Sequence, residues 1–188
     1  AYINKDNIGQ KIDMHLRSSK SKYIAVDGMK LKKASELLGL LKVVLFSPED
    51  LSIIKNDPSE RRNFIDAELC QIDSFYFYNL SQYKKIVEQR NSLLKDSYYN
   101  PSLLETINIW NSQLVSYGSK IIERRKLFVE QLNEIIYDIH KTLSGGREEL
   151  LITYEPNTLI EDFEDNLIKS KEKDIKLNEV ENEEVVAE

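Results

Sequence analysis

Few residues in this sequence have the type and spacing that catalysis requires. His15 lies on the polar phase of an alternating segment and His140 late in a long helical pattern, where a solvated or helix-end role is the ordinary expectation. The single Cys70 cannot form a disulfide within the chain and is more typical of a small core residue than of a nucleophile. No Gly-x-Ser-x-Gly, His-Glu-x-x-His, paired metal-ligand spacing or Gly-x-x-x-x-Gly-Lys-Ser/Thr phosphate loop occurs. We therefore expect no catalytic residue and no metal site in these 188 residues.

Carboxylates follow directly on an apolar run at residues 41–46, which predicts a buried strand. The residues after it are Ser47-Pro48-Glu49-Asp50. Ser47 can cap a helix with Pro48 at its first position, and acidic side chains are favourable in a first turn. The residues alone thus predict a helix start here.

Cations occur in pairs on the segments that follow. Arg61-Arg62 lie just after a turn, and Lys84-Lys85 lie within a helical pattern. Basic side chains along a helix can follow the phosphates of a nucleic acid. Glu60 and Glu88 stand nearby, so ordinary ion pairs on a solvated helix face explain these cations equally well.

The charge is distributed unevenly along the chain. Residues 155–188 carry twelve acids and four lysines, a balance of −8, so the rest of the chain carries +2 of the net −6. No stretch approaches the roughly 20 apolar residues of a membrane span, and the first residues do not resemble a signal peptide. The sequence predicts a cytoplasmic protein that does not enter a membrane, with a slightly basic body and an acidic tail.

The first 47 residues read as strands. Residues 9–17 alternate apolar Ile12, Met14 and Leu16 with polar side chains, and a second β-rich run ends at Asp27-Gly28, a turn signal. A short helix closed by Gly39 and the strand 41–46 are expected next.

From Pro48 onward the hydrophobic period becomes helical. A helix is expected after Asp57-Pro58, and another begins at Asp73 or Ser74. Its stripe recurs every three or four residues: Tyr76, Leu80, Tyr83, Val87, Arg90 and Leu94.

A longer helix is expected at about 102–143, with one stutter near Ile121. Its stripe consists of Leu103, Ile107, Trp110, Leu114, Tyr117, Ile121, Arg125, Phe128, Leu132, Ile135 and Ile139. Because a short connector joins the two stripes, we expect an antiparallel hairpin. Arg90 and Arg125 fall within the stripes, so their stems should pack while their charged heads reach outward.

The fold class predicted is α+β, in four segments. Residues 1–47 are β-rich, residues 48–146 form a helical lobe with the hairpin, residues 147–178 hold a returning strand and an amphipathic helix, and residues 179–188 form an acidic tail without fixed structure.

Several separated motifs together resemble one bacterial family. They are Val-Val-Leu-Phe-Ser-Pro-Glu-Asp-Leu at 43–51, Pro-x-x-Arg-Arg-x-Phe-Ile-Asp at 58–66, Leu-Ser-Gln-Tyr at 80–83 and Gln-Arg-Asn at 89–91, followed by Trp110 with the basic helix after it. In this order they closely resemble RecF, the recombination and gap-repair ATPase, over roughly residues 8–155.

The resemblance implies the ATPase head of ABC and SMC type: a sheet-containing lobe with an inserted helical lobe. These residues correspond to its central part, between the expected phosphate loop and the signature helix, and strand 41–46 would belong to the ATPase sheet. The resemblance implies that an intact protein binds ATP and Mg²⁺ and dimerises with ATP. It also implies binding to duplex DNA and single/double-strand junctions, and loading of recombinase at gaps with RecR and RecO. The 188 residues alone are expected to bind no cofactor and to hydrolyse no ATP.

The resemblance also gives the candidate residues a role. Ser47, Glu49 and Asp50 would lie where related heads connect nucleotide and metal to the helical lobe, so Glu49 or Asp50 could sense Mg²⁺ through water. Related heads often use Gln there, and a plain helix cap is the alternative. Arg61, Arg62, Lys84 and Lys85 would contact DNA or a partner. A second hypothesis is a helical-hairpin module without enzymatic activity that recognises only protein.

Overall fold

The computed structural model describes residues 1–5, 8–16, 22–45, 47–55 and 57–186. The chain forms two compact units, Ala1–Ser74 and Phe75–Glu188. The four segment boundaries expected from the sequence stay a prediction.

The first unit begins with a four-stranded antiparallel sheet in the order β1-β2-β3-β4. The strands are β1 (Tyr2–Lys5), β2 (Ile8–His15), β3 (Tyr23–Val26) and β4 (Met29–Lys30). Ile12 lies opposite Val26 in the β2–β3 ladder, and both side chains are buried. The expected alternation holds at Ile12, but Met14 and Leu16 are exposed. The polar segment at 18–22, between β2 and β3, lies mostly outside the described residues.

The turn between β3 and β4 confirms the signal at Asp27-Gly28. Both residues have positive φ, 50° and 81°, as the tight turn of a two-residue hairpin requires. The Asp27 carboxylate accepts a hydrogen bond from the Lys11 N–H at 2.7 Å. This bond ties the turn to strand β2.

Short helical segments complete the first unit. A 3₁₀ turn at Ala34–Leu37 is followed by Gly39 with a φ of 82°. A second 3₁₀ turn at Pro48–Leu51 leads into α1 (Ser52–Lys55), and α2 spans Pro58–Ile72. Helices thus start after Ser47 and Asp57, as the sequence predicts.

The strand expected at 41–46 does not form over its described residues, 41–45. The Val43 N–H donates to the Gln71 side chain at 2.8 Å, while Val44 and Leu45 are 95% and 82% exposed. A strand needs a hydrogen-bonded neighbour, and none lies beside these residues in the described part of the chain. Apolar, β-branched composition was therefore insufficient to predict a strand.

The second unit is built on two helices, α3 (Ser74–Asp96) and α4 (Ile107–Leu143), joined through a 3₁₀ turn at Pro101–Thr106. Ser74 itself belongs to the first unit. Several contacts join the helices, and three of them define the pairing. Tyr76 bonds Arg125, Arg90 bonds Asn111, and a Cβ placed on Gly118 would lie 3.1 Å from the Tyr83 ring.

These contacts define an antiparallel pairing. The α3 residue rises by seven from 76 to 83 to 90, while the α4 residue falls by seven from 125 to 118 to 111. In the same antiparallel register, each advance along α3 matches an equal retreat along α4, which places Leu80 against Ile121 and Leu94 against Ile107. All four of these side chains are buried. The hairpin predicted from the two stripes is confirmed.

Helix α4 ends where the sequence predicts, at Ser144-Gly145-Gly146, with both glycines at positive φ. The returning strand expected near 148–155 is wrong, because residues 147–156 contain no strand. The Asn133 side chain binds the backbone of Ile152 twice, donating to its C=O at 2.7 Å and accepting from its N–H at 2.9 Å. This amide takes the hydrogen-bonding groups that a neighbouring strand would use.

Helix α5 (Phe163–Val186) packs on α4. Phe163 is 7% exposed and lies against Gly118, where an added Cβ would come 2.3 Å from its ring. Residues 179–186, expected to lack fixed structure, continue this helix. No proline or glycine in the segment interrupts it.

Candidate functional site

The residues at 47–50 form a capping arrangement. The Ser47 N–H donates to Asp50 Oδ2 at 2.7 Å, and the Glu49 N–H donates to Ser47 Oγ at 3.2 Å. The Ser47 hydroxyl also donates to Glu49 Oε2. This is the reciprocal pattern of a capping box, with Pro48 at the first helical position. The Asp50 and Ser47 side chains therefore bond the local backbone, and the Glu49 carboxylate bonds the Ser47 hydroxyl.

No metal-ligand cluster occurs in the described part of the chain, where no three His, Cys, Asp or Glu side chains come together. Glu49 and Asp50 each use one carboxylate oxygen in the cap. The arrangement thus does not fit a Mg²⁺ site built by these residues alone. No described helix is long and apolar enough to cross a membrane.

The two arginines of α2 differ in their contacts. The Arg61 guanidinium donates to the C=O of Ile53 at 3.1 Å, which ties α2 to α1. Arg62 is exposed. Arg62 is therefore the better placed of the two for contact with another molecule.

The lysine pair lies on the outer surface of α3. Lys84 and Lys85 are both exposed and lie outside the α3 stripe that faces α4. The two basic pairs belong to different compact units, so each is a separate candidate.

The outward orientation expected for Arg90 is wrong. Its side chain is buried, and its guanidinium donates to Asn111 at 3.0 Å and to Asp174 at 2.9 Å. Ser170 also donates to Asp174, at 3.3 Å. One buried cation thus joins α3, α4 and α5, and the Asp174 carboxylate compensates its charge. Sequence spacing gave no signal for a partner 84 residues away.

Tyrosines occupy the rest of this region. The Arg125 Nε–H donates to the Tyr76 hydroxyl at 2.9 Å, and burial raises the pKa of Tyr83, opposed by Arg125 and Arg90. A hydrogen bond with Tyr78 raises the pKa of Tyr117. The rings of Tyr78 and Tyr117 meet edge-on with centroids 6.3 Å apart. Tyr76 and Tyr83 contact α4 within the hairpin, while Phe75 and Tyr78 are more than half exposed.

Comparison with known sequences identifies close relatives. The chain is 53% identical over 177 residues to the DNA replication and repair protein RecF of Agathobacter rectalis, 93% of this chain and 48% of the relative. It is 51% identical over 175 residues to that of Lachnoclostridium phytofermentans, 93% and 49% of the two chains. It is 39% identical over 184 residues to that of Clostridium botulinum, 94% and 50%. The chain spans about half the length of the curated relatives it matches. No protein-family model matches it.

Solved structures give the same relationship. The recombination mediator protein RecF bound to ATP, in the RecFOR pathway, superposes with a TM-score of 0.78 at 33% identity, over 90% of this chain and 48% of that chain. A second RecF structure, with an ATP analogue, superposes with a TM-score of 0.77 at the same identity, over 92% and 49%.

Proposed function

The chain belongs to the RecF family, and from this premise we propose that it is the central part of a DNA repair ATPase that binds DNA and helps to load recombinase at single-strand gaps. The level of identity, 51–53% over 93% of the chain, supports a common function with these relatives. The half of each relative that this chain matches corresponds to the sheet and the helical hairpin that follows it in the sequence.

The observation that carries DNA binding is the position of the basic pairs. Lys84 and Lys85 are exposed on α3, outside the surface that pairs with α4. Their ammonium groups are therefore available to phosphates at no cost to the hairpin core. Each neutralised phosphate releases counterions, so binding through these side chains depends strongly on salt.

ATP enters the proposal through the relatives, since the two matched structures are RecF with ATP and RecF with an ATP analogue. Mg²⁺ enters it only through the family resemblance of the sequence motifs. When bound, the nucleotide and its metal would couple ATP hydrolysis to a conformational change in the ATPase head of the whole protein. No phosphate-loop motif occurs in the 188 residues, so we assign them no direct ATP contact. Glu49 or Asp50 would act on Mg²⁺ at most through water, while their cap holds the start of the helical segment.

The assembly proposed for the whole protein includes an ATP-dependent homodimer, with RecR and RecO as partners on DNA with single/double-strand junctions. The matched structures carry the name of the RecFOR pathway, which supports this set of partners.

Charge reversal tests DNA binding directly. We expect Lys84→Glu/Lys85→Glu to weaken duplex binding and to reduce the slope of log affinity against log salt by about 2, one for each lost phosphate contact. The matched control is Lys32→Glu/Lys33→Glu, which makes the same charge change at two exposed residues of the first unit. Equal effects of the two double variants would show that only net charge matters, and would contradict the assignment to α3.

The second basic pair is tested at Arg62 alone. Arg62→Glu should lower duplex affinity without changing stability, because the side chain is exposed. Arg61 is unsuitable for this test, since its hydrogen bond to Ile53 gives it a structural role. Unchanged duplex binding in every variant would favour the protein-interaction module as the function of this hairpin.

A further inference from the structure

One surface of the second unit combines exposed aromatic rings with lysine. Phe75 is 62% exposed and Tyr78 is 51% exposed, although both lie on a helix of the hairpin. The Lys120 ammonium lies 5.8 Å from the centroid of the Phe75 ring and 5.7 Å from that of Tyr117. Since Tyr78 meets Tyr117 across the two helices, these four residues form one group, which we call the aromatic–lysine cluster.

The positions that flank the cluster are polar or basic. Counting by three or four residues along each helix gives the positions that share its face. They are Phe75, Tyr78, Gln82 and Lys85 on α3, with Gln113, Tyr117 and Lys120 on α4. None of these seven is acidic, although the same count continues from Lys120 to Glu123 and Arg124 and from Lys85 to Glu88. Lys85 and Gln113 are exposed.

Exposed rings beside cations match the chemistry of unpaired nucleotides. Bases in a single strand can stack on aromatic side chains, whereas bases in a duplex have their faces covered by neighbouring pairs. Lysines beside the rings can neutralise the phosphates that connect such bases. A protein partner would also bury the rings, but two lysines directly beside exposed rings match a base and its phosphate more closely.

We propose that the aromatic–lysine cluster binds the unpaired strand of DNA, by base stacking on Phe75 and Tyr78 and phosphate contact with Lys120 and Lys85. The inference rests on the proposed DNA-binding function and assigns the single-stranded side of a gap to this surface. Lys84 and Lys85 contact the adjoining duplex in this proposal. Lys85 therefore lies at the boundary between the duplex and the unpaired strand.

The probe is an oligothymidylate that carries one fluorescent base analogue whose emission falls on stacking, titrated with the 188-residue chain. Phe75→Leu/Tyr78→Leu keeps apolar bulk and removes both rings. We expect it to weaken single-strand binding about tenfold or more and to restore the emission, because stacking contributes about 1–3 kcal/mol per base. Tyr78→Phe keeps the ring and should bind as the unaltered chain does.

The matched control is Tyr137→Leu. Tyr137 is also an exposed tyrosine of α4 with a lysine over its ring, since Lys141 lies 5.8 Å from its centroid, but it lies outside the cluster. Duplex binding is measured in parallel, and it should be unchanged in Phe75→Leu/Tyr78→Leu.

The outcomes separate this inference from the proposed function. Unaltered single-strand affinity in the double variant overturns the cluster alone, provided that Lys84→Glu/Lys85→Glu still weakens duplex binding. A chain that binds neither single strand nor duplex at low salt overturns the proposed function as well. An equal loss in Tyr137→Leu would show a general effect of exposed tyrosines and would also overturn the cluster.

Discussion

At Gly118, which contacts Phe163, substitution by alanine has two opposing effects: a gain in helix propensity and a steric overlap. Their balance tests the packing of the second unit. Gly118 lies inside the 37-residue helix α4. Helix propensity alone predicts that Gly118→Ala stabilises the chain by about 1 kcal/mol. In the structure, however, the new Cβ would come 2.3 Å from Cε1 and 2.9 Å from Cζ of Phe163.

The clash outweighs the gain in propensity. Carbon atoms attract one another only beyond about 3.5 Å, so the Phe163 ring has to leave its place. That ring is 7% exposed, and losing its burial costs about 1.5–3 kcal/mol. After the helix gain of about 1 kcal/mol, we expect Gly118→Ala to lower the free energy of unfolding by about 0.5–2 kcal/mol.

Urea unfolding followed by far-ultraviolet circular dichroism measures this difference. The second measurement is a double-mutant cycle with Phe163→Ala. Without the ring, only the Tyr83 contact at 3.1 Å restrains the new methyl group, so Gly118→Ala should become neutral or stabilising. A stabilised single variant, or equal effects in the two backgrounds, would refute the placement of α5 against α4.

Three further predictions concern polar contacts of the second unit. Arg90→Leu should lower the free energy of unfolding by about 3 kcal/mol, because it removes a buried cation from its bonds to Asn111 and Asp174. Asp174→Asn should cost at least as much in the same urea titration, because the guanidinium that loses the Asp174 carboxylate is the more deeply buried partner; a cost near zero for either variant would contradict a buried ion pair. Because burial holds the pKa of Tyr83 above its usual 10.0, the unfolded chain loses this proton first, so the stability it provides is full below pH 10 and declines as pH rises further. Tyr83→Phe should make that alkaline decline shallower in unfolding measured at successive pH values, and an unchanged slope would assign the decline to other groups. Asn133→Asp replaces the donor to Ile152 by a carboxylate, and faster proteolytic cleavage within 147–156 is expected; unchanged cleavage would show that the amide does not hold this segment.

The hairpin could be predicted because its information is local. Leu80 and Leu94 on one helix, and Ile107 and Ile121 on the other, belong to stripes that recur every three or four residues. A helix places residues at that spacing on one side. The cap at Ser47 was likewise readable, since its partner Asp50 is three residues away. Contacts within one turn of a helix are encoded in adjacent positions.

The remaining contacts depend on residues that are distant in sequence. The Arg90 guanidinium points inward because it bonds Asp174. Ile152 forms no strand because the Asn133 side chain takes its backbone hydrogen bonds. Residues 41–45 have the composition of a strand, yet a strand exists only with a neighbour to bond. Composition predicts such a tendency and leaves the partner undetermined.

Regular repeats leave the alignment of the two helices open, so something other than hydrophobic spacing must fix it. A shift of one helix by seven residues would still match apolar side chains along most of the seam. It would also move Arg90 from Asn111 to either Leu104 or Gly118, and it would remove the Tyr83 ring from the space that Gly118 leaves. The first change leaves a buried guanidinium without one of its hydrogen bonds, and the second creates an overlap or a void. Each costs a sizeable part of the stability of a whole domain. The polar pair and the glycine therefore select the observed alignment. In that alignment Phe75 and Tyr78 lie beside Tyr117 and Lys120, so the surface we assign to unpaired DNA exists only because the buried layer beneath it has one register.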